Sequence, residues 1–214
     1  MKVKICCIKS VEEAQLAIKY GANILGLVGN MPSGPGVIDD ETIAEIVKSI
    51  PEHIETFLLT SETDAQAIIE HHKKVNTSAI QIVDDLKTGT YADIRQALPN
   101  VKLVQVFHVI DKSIIVKAKL IENEVDYILL DSGNPNLTIK ELGGTGRTHN
   151  WEISKALVQA VKVPVFLAGG LRSTNVQQAI QQVQPYGLDL CSGVRTNDKL
   201  NKEKLKYFFI AIKY

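Results

Sequence analysis

Short runs of β-branched and apolar residues alternate with amphipathic helical stretches along all 214 residues of the chain. Such alternation is typical of βα units built around a parallel sheet. Strands are predicted at 3–8, 24–28, 55–59, 79–83, 102–107, 127–130, 164–167 and 188–191. Helices are predicted at 11–20, 40–49, 63–73, 91–98, 112–123, 152–161, 174–182 and 202–212. Eight strand–helix units favour an α/β fold of the TIM type, a single (β/α)8 barrel domain over residues 1–214, with an open doubly wound sheet as the alternative.

Composition and charge indicate which classes of molecule the protein binds. The chain is 45% hydrophobic and 22% charged, as expected for one globular domain with a full core. Lys plus Arg equals Asp plus Glu at 24 each, so no strong field attracts nucleic acid or an anionic membrane. No apolar stretch reaches the roughly 20 residues that span a bilayer, and the N-terminus lacks secretory-signal features. We expect a cytoplasmic protein that binds a small molecule.

Two connections are longer than usual for a compact domain. Residues 29–39 are rich in Gly and Pro, and residues 132–150 show no clear periodicity. Long loops of this kind are usually functional or disordered. Both follow strands, so in a barrel both lie on the face where active sites are built. The alternative for each is a solvent-exposed loop without a functional role.

Two side chains are candidates for acid–base chemistry. Asp131 follows the sixth strand, where apolar neighbours raise a carboxyl pKa by desolvation and suit it to be a general acid. A turn-capping Asp is the alternative. Lys4 and Cys6 share one strand face by the two-residue period, with Cys7 on the other, so the Lys4 cation favours a Cys6 thiolate. All three cysteines, including Cys191, are otherwise read as small buried hydrophobes.

Glycine-rich segments predict where an anion binds. The tetrapeptide 143–146 lies inside the long loop and is by itself a weak signal. The segments 168–171 and 192–194 follow the seventh and eighth strands, the positions where barrels commonly bind phosphate through backbone N–H groups. His108 and His149 lie in positions from which they could reach a ligand, although a structural role suits them equally well.

In their order and spacing these segments resemble the phosphoribosylanthranilate isomerase family of tryptophan biosynthesis over nearly the whole chain. The segments that carry the resemblance are 4–8, 21–28, 130–131, 143–146 with Trp151, 168–171 with Asn175 and Val176, and 189–194. The resemblance implies an Amadori rearrangement that converts an N-linked phosphoribosyl amine to an aminodeoxyribulose phosphate. It implies neither cofactor nor metal, and a monomer or homodimer acting on a phosphorylated small molecule.

The resemblance also implies residue roles. Asp131 protonates the furanose ring oxygen, and Cys6, as thiolate, removes the C2 proton. The phosphate and the rest of the substrate are held by Gly144, Gly169, Gly170, Ser192 and Gly193.

The departures from the family pattern lie mostly at the anthranilate end of the substrate. Gly36 stands where the family has an Arg that binds the anthranilate carboxylate, Cys7 replaces a glycine and Arg195 replaces a glutamate. Arg147 or His108 is the expected substitute for the missing Arg. Two alternatives to the isomerase remain: a paralogue acting on another phosphoribosyl amine, and a sugar-phosphate-binding barrel without catalysis.

Overall fold

The chain forms a closed barrel of eight parallel strands, as a computed structural model of residues 1–213 shows. The strands are Lys2–Ile5 (β1), Ile24–Val28 (β2), Glu55–Thr60 (β3), Ala79–Ile82 (β4), Lys102–His108 (β5), Tyr127–Asp131 (β6), Val165–Leu167 (β7) and Gly187–Leu190 (β8). Two further strands, Arg195–Thr196 (β9) and Lys199–Leu200 (β10), form a small antiparallel pair after β8.

A helix follows each barrel strand. The helices are Val11–Tyr20 (α1), Asp40–Ser49 (α2), Ala65–Val75 (α3), Tyr91–Ala97 (α4), Ser113–Ile121 (α5), Trp151–Ala160 (α6), Val176–Val183 (α7) and Lys202–Ala211 (α8), with a 3₁₀ turn at Ser192–Val194. The predicted bounds of α1 and α2 are confirmed. The third helix begins two residues later than predicted, because the Asp64 side chain caps it by accepting a bond from the Ala67 N–H at 2.9 Å.

The pairing of β1 with β8 closes the barrel. In this pair Lys2 lies opposite Gly187 and Ile5 opposite Leu190, all in parallel register, and β1 also pairs with β2. The predicted (β/α)8 barrel is therefore confirmed, since an open doubly wound sheet would leave β1 and β8 unpaired.

The first strand ends earlier than predicted, and this changes which side chains share a face. Cys6 still donates its N–H to Leu190 O at 2.7 Å, but Cys7 has a φ of 62°, in the left-handed region. The extended alternation therefore stops at Cys6. Cys7 turns to the same interior as Cys6 instead of the opposite side, and Ile8 packs in the layer between strands and helices. The prediction that Cys7 lies on the face opposite Cys6 is wrong for this reason.

The barrel interior is filled by aromatic rings at its N-terminal end and by polar groups above them. Phe57, Tyr127 and Phe166 come from three strands and pack with centroids 5.3–6.2 Å apart. Above this layer the Lys4 ammonium contacts the Asp189 carboxylate at 2.9 Å, and the Lys4 side chain is fully buried. The aromatic layer fills the bottom of the barrel, and the polar groups above it face the C-terminal end.

The two long loops meet at that end, as the sequence predicts. The Ser33 hydroxyl in the loop after β2 donates to the Lys140 carbonyl in the loop after β6 at 2.5 Å. Pro35 packs against Gly144, where a β-carbon would come within 2.5 Å of the proline ring. Together they cover the mouth of the barrel.

Among residues 1–213, no helix is long and apolar enough to cross a membrane.

The buried Lys4–Asp189 pair should contribute strongly to stability. Replacing Lys4 by Met leaves the Asp189 carboxylate buried without its counter-charge, which we expect to cost about 3–5 kcal/mol. Lys2→Met on the same strand is the matched control, because Lys2 pairs with Glu55 near the surface and should cost less than about 1 kcal/mol. Urea denaturation measures both. Equal losses for the two variants would contradict the prediction, as would a Lys4→Met/Asp189→Leu double variant no more stable than Lys4→Met.

Candidate active site

A cavity opens at the C-terminal ends of the strands, and its volume is about 680 Å³ when the open mouth is included. Its walls come from the ends of β1, β2, β3, β4, β6, β7 and β8, and from both long loops. Small-molecule sites are concave and carry a few converging polar groups, and this cavity has both features. The residues whose side chains bear on chemistry there are Cys6, Cys7, Gln81, Asp131, Asp189, Cys191 and Ser192.

Cys6 lies at the floor of the cavity beside a buried cation. A β-carbon at Gly26 on the neighbouring strand would lie 2.9 Å from both the Cys6 Sγ and the Lys4 Nζ. Both groups therefore pack against Gly26, and a larger residue at this position would collide with them. A hydrogen bond from the Cys7 thiol lowers the pKa of Cys6, burial opposes this, and the Lys4 ammonium lowers the pKa further, with a net decrease. Lys4 therefore lowers the pKa of Cys6 as predicted, and the hydrogen bond from Cys7, which was not predicted, lowers this pKa more strongly.

Asp131 ends β6 at the wall of the cavity. Its Oδ1 accepts a hydrogen bond from the Ser132 N–H at 2.7 Å, which fixes the carboxyl group at the start of the long loop. Its Oδ2 lies against Gly143, where a β-carbon would come within 2.8 Å of that oxygen. The carboxyl group is half-buried and faces the same cavity as Cys6.

The glycine segments after β6, β7 and β8 meet at one side of the cavity. Gly146 faces Ser192, and Gly169 faces Ser132 and His149. Gly193 packs against the next loop so closely that a β-carbon would lie 1.9 Å from the Leu171 carbonyl oxygen. These segments are rich in backbone N–H groups and small residues, an arrangement suited to an anion.

The structure brings the predicted site residues together. Cys6, Asp131, Gly144, Gly169, Gly170 and Ser192 all line the cavity. Gly193 does not line it, and instead holds the loop after β8 against the loop after β7.

Cys7 restricts which residues fit at position 36, where the family has an Arg. Gly36 has a φ of 84°, and a β-carbon there would lie 2.5 Å from the Cys7 Cβ. Any side chain at Gly36 would therefore collide with Cys7, which replaces the family's glycine.

The structure does not support either expected substitute for the missing Arg. Arg147 pairs with Glu141, and the His108 Nε2 is bonded to the Val83 carbonyl at 3.0 Å. Among the described residues that line the cavity, none is Lys, Arg or His.

Two polar residues of the site escaped prediction as functional residues. Gln81 is 3% exposed and Asp189 is 7% exposed, and both line the cavity. Each has a buried side-chain oxygen without a hydrogen-bond partner, Oε1 in Gln81 and Oδ1 in Asp189. The signal available in the sequence was the two-residue period, which places both on the inward face of their strands.

His149 lies behind the glycine segments in an uncharged state. Its Nε2 and the Ser154 hydroxyl lie 2.8 Å apart, and its Nδ1 is buried without a partner. Burial lowers the pKa of His149 to about 4, and the nearby Asp131 carboxylate only partly opposes this. His149 therefore does not supply a positive charge to an anion near neutral pH.

This lowered pKa predicts a loss of stability in acid. The unfolded chain takes up a proton at His149 near 6.5, whereas the folded chain resists until about 4, so stability falls as the pH falls through this window. Between about pH 7 and about pH 5 the loss from this group should be about 2 kcal/mol. His149→Gln should reduce the pH dependence of the unfolding free energy by this amount, and the exposed His53→Gln should not. Identical profiles for wild type and His149→Gln would refute the assignment.

Comparison with known proteins identifies the family. The model of the family described as N-(5'-phosphoribosyl)anthranilate (PRA) isomerase matches residues 3–211. The N-(5'-phosphoribosyl)anthranilate isomerase 2 of Methanosarcina mazei is 35% identical over 204 residues, covering 95% of this chain and 89% of the relative.

Solved structures agree in fold. Phosphoribosyl anthranilate isomerase from Thermotoga maritima aligns over 100% of this chain and 98% of its own, with a TM-score of 0.82 and 25% identity. Another, solved in complex with reduced 1-(o-carboxyphenylamino)-1-deoxyribulose 5-phosphate, gives a TM-score of 0.79 at 23% identity, with the same coverage. Since both the family model and a relative above 30% identity span nearly the whole chain, this chain belongs to the phosphoribosylanthranilate isomerase family.

Proposed function

We propose that this chain catalyses the Amadori rearrangement of N-(5'-phosphoribosyl)anthranilate to 1-(o-carboxyphenylamino)-1-deoxyribulose 5-phosphate, a step of tryptophan biosynthesis. One observation carries the proposal. A cysteine thiol with a lowered pKa and a carboxyl group face one cavity, and glycine segments suited to a phosphate form its side. Acid, base and anion site are the three parts that this reaction requires.

The acid–base roles follow from the positions of the two groups. Asp131 donates a proton to the furanose ring oxygen, so the C1–O bond breaks and a protonated Schiff base forms between C1 and the amine nitrogen. The Cys6 thiolate then removes the C2 proton, and the electrons of that C–H bond form the C1–C2 double bond of an enolamine. Return of the proton from Cys6 to C1, with loss of the C2 hydroxyl proton to the Asp131 carboxylate, gives the ketose and restores both groups. Each acid–base step contributes about 10²–10⁴-fold to the rate, and neither requires a metal or cofactor.

The phosphate binds at the glycine segments. Gly144, Gly169 and Gly170 leave room for close approach of the ligand to the backbone, and the Ser192 hydroxyl lies at the start of the 3₁₀ turn. Gly193 keeps the two loops in contact, which fixes the spacing of the N–H donors. Phosphate at this end places the sugar carbons between Cys6 and Asp131.

The anthranilate carboxylate is bound without a cation from the cavity wall. Loss of one charge-assisted hydrogen bond corresponds to roughly 1.5–3 kcal/mol, so we expect affinity for anthranilate-derived substrate to be about 10- to 150-fold weaker than with an Arg clamp. The loop residues Ser33, Gly34 and Pro35 line the cavity beside the Gly36 position.

We further propose that the enzyme acts in the cytoplasm as a monomer or homodimer. The family's place in amino-acid biosynthesis supports the location. The Thermotoga maritima isomerase is described as dimeric, which makes a homodimer reasonable here.

Replacing the proposed base or acid should abolish turnover without unfolding the protein. Cys6→Ala and Asp131→Asn should each lower kcat by at least about 10²-fold, measured as the loss of fluorescence of freshly prepared phosphoribosylanthranilate above its spontaneous decay. Asp111→Asn is the control, because this exposed acid lies on the same end of the barrel outside the cavity. Near-normal kcat in Cys6→Ala would remove Cys6 from the mechanism. No turnover by wild type, with phosphate binding intact, would indicate a phosphoribosyl amine without the carboxylate.

The phosphate site predicts stabilisation by the anion alone. Inorganic phosphate in the millimolar range should raise Tm with dose, by a few degrees at about ten times Kd. Gly193→Ala should shrink this shift, since the added methyl group forces the Leu171 carbonyl away. Gly34→Ala is the control: its φ of 108° strains an Ala and lowers Tm, but the added methyl group meets only the Gly143 carbonyl oxygen at 3.8 Å, so the phosphate-dependent shift should remain. No phosphate-dependent shift in wild type, or an undiminished one in Gly193→Ala, would contradict this site.

A further inference from the structure

Two cysteines that the proposed reaction does not use lie in contact at the active site. The Cys191 thiol donates to the Cys7 sulfur with the two Sγ atoms 2.8 Å apart, although 184 positions separate them in sequence. Both are free thiols. The contact arises because β1 and β8 are paired strands, and each cysteine follows its strand within two residues. The prediction of a small buried hydrophobe agrees with Cys7, whereas Cys191 is only partly buried, and the contact between the two sulfur atoms was not predicted.

The backbone around Cys7 holds its sulfur in place. Cys7 adopts a left-handed conformation with a φ of 62°, and the Gly36 backbone packs directly on its β-carbon. Its carbonyl accepts a hydrogen bond from the Arg195 guanidinium, which is itself paired with Glu13 at 2.8 Å. With the main chain fixed from both sides, the Cys7 side chain has little freedom to move away from Cys191.

The two thiols are reached through the cavity and differ in exposure. Both line the cavity together with Cys6, but Cys7 is only 3% exposed whereas Cys191 is partly exposed. A small reagent that enters the cavity therefore meets the Cys191 sulfur first, and the Cys7 sulfur stands behind it within contact distance. This is the arrangement of an attacking thiol with a resolving thiol.

We propose that Cys7 and Cys191 form a modification site that takes small-molecule disulfides and closes to a reversible Cys7–Cys191 disulfide. The Cys191 thiolate attacks one sulfur of the reagent, forming a mixed disulfide and releasing one reagent thiol. The Cys7 sulfur then attacks the Cys191 sulfur, giving the internal disulfide and releasing the second thiol. The two cysteine protons pass to the two leaving thiolates, so the protein loses two electrons and the reagent gains them.

Closure requires little movement. A disulfide has an S–S length of about 2.05 Å, so the sulfur atoms have to approach by less than 1 Å from their present 2.8 Å. Adjacent Cys6 is not an equal partner, because ring closure between neighbouring residues imposes a strained peptide on the chain.

On the proposed function, closure inhibits the enzyme. The Cys7 thiol is the donor that lowers the pKa of Cys6, and a disulfide removes this proton. Oxidation should therefore move the alkaline rise of kcat, which reports the Cys6 thiolate, to higher pH. Reduction should restore the original profile.

The test is oxidised glutathione added to the purified, fully reduced protein. Wild type should fall from three titratable thiols to one, and tryptic digestion should join the peptide 5–9 to the peptide 173–195. Because peptide 5–9 contains both Cys6 and Cys7, the Cys6→Ala variant assigns the bond: the joined peptide should persist there. It should be absent in Cys7→Gly and in Cys191→Ser.

Other outcomes overturn the proposal. A joined peptide that survives in Cys7→Gly would assign the bond to Cys6, and a stable glutathione adduct on Cys191 without closure would show that Cys7 does not resolve it. Unchanged thiol counts would show that the site is unreactive. Thiol counts and peptide maps do not require turnover, so they decide this proposal even if the enzyme proves inactive on phosphoribosylanthranilate.

Discussion

The site depends on the closure of the barrel between β1 and β8. The register of Lys4 opposite Asp189 places a cation and an anion side by side on the inward faces of the two strands, where they meet at 2.9 Å. A buried pair of this kind is costly to break, since either charge alone is poorly solvated in the interior. The same register sets Cys6 beside Leu190, whose carbonyl accepts its N–H. Stability and the environment of the proposed base thus come from one strand pairing.

Three of the residues that depart from the family pattern contact one another in the structure. Cys7, Gly36 and Arg195 are far apart in sequence, yet Gly36 packs on the Cys7 side chain and Arg195 bonds to the Cys7 carbonyl. Arg195 would be a buried charge without Glu13, which it contacts through both carboxylate oxygens. Substitutions at residues that contact one another are not energetically independent, so the effects of these three departures should be coupled.

The sequence was sufficient for the barrel and for most of the site, because both rest on local signals. Strand and helix periodicity located the eight units, and the glycine segments after β7 and β8 marked one side of the cavity. What failed depended on geometry that periodicity does not encode. The left-handed Cys7 reversed a side chain and brought a third sulfur to the cavity, and the Cys7–Cys191 contact joins residues 184 positions apart. Nor does the sequence reveal that Arg147 is engaged by Glu141.

The contact between Cys7 and Gly36 links the two chemical changes at the site. The β-carbon of an Arg at Gly36 would lie 2.5 Å from the Cys7 β-carbon, so a side chain at Cys7 and the absence of the carboxylate clamp are linked by sterics. The exchange removes a cation from the anthranilate end and adds a thiol donor to the proposed base. On the proposed function, affinity for the anthranilate end should fall while the thiolate form of Cys6 is further stabilised, and the added thiol also faces Cys191. The contact between Cys7 and Gly36 thus accounts for two features of the cavity. It excludes an Arg side chain from position 36, and it places the Cys7 thiol beside both Cys6 and Cys191.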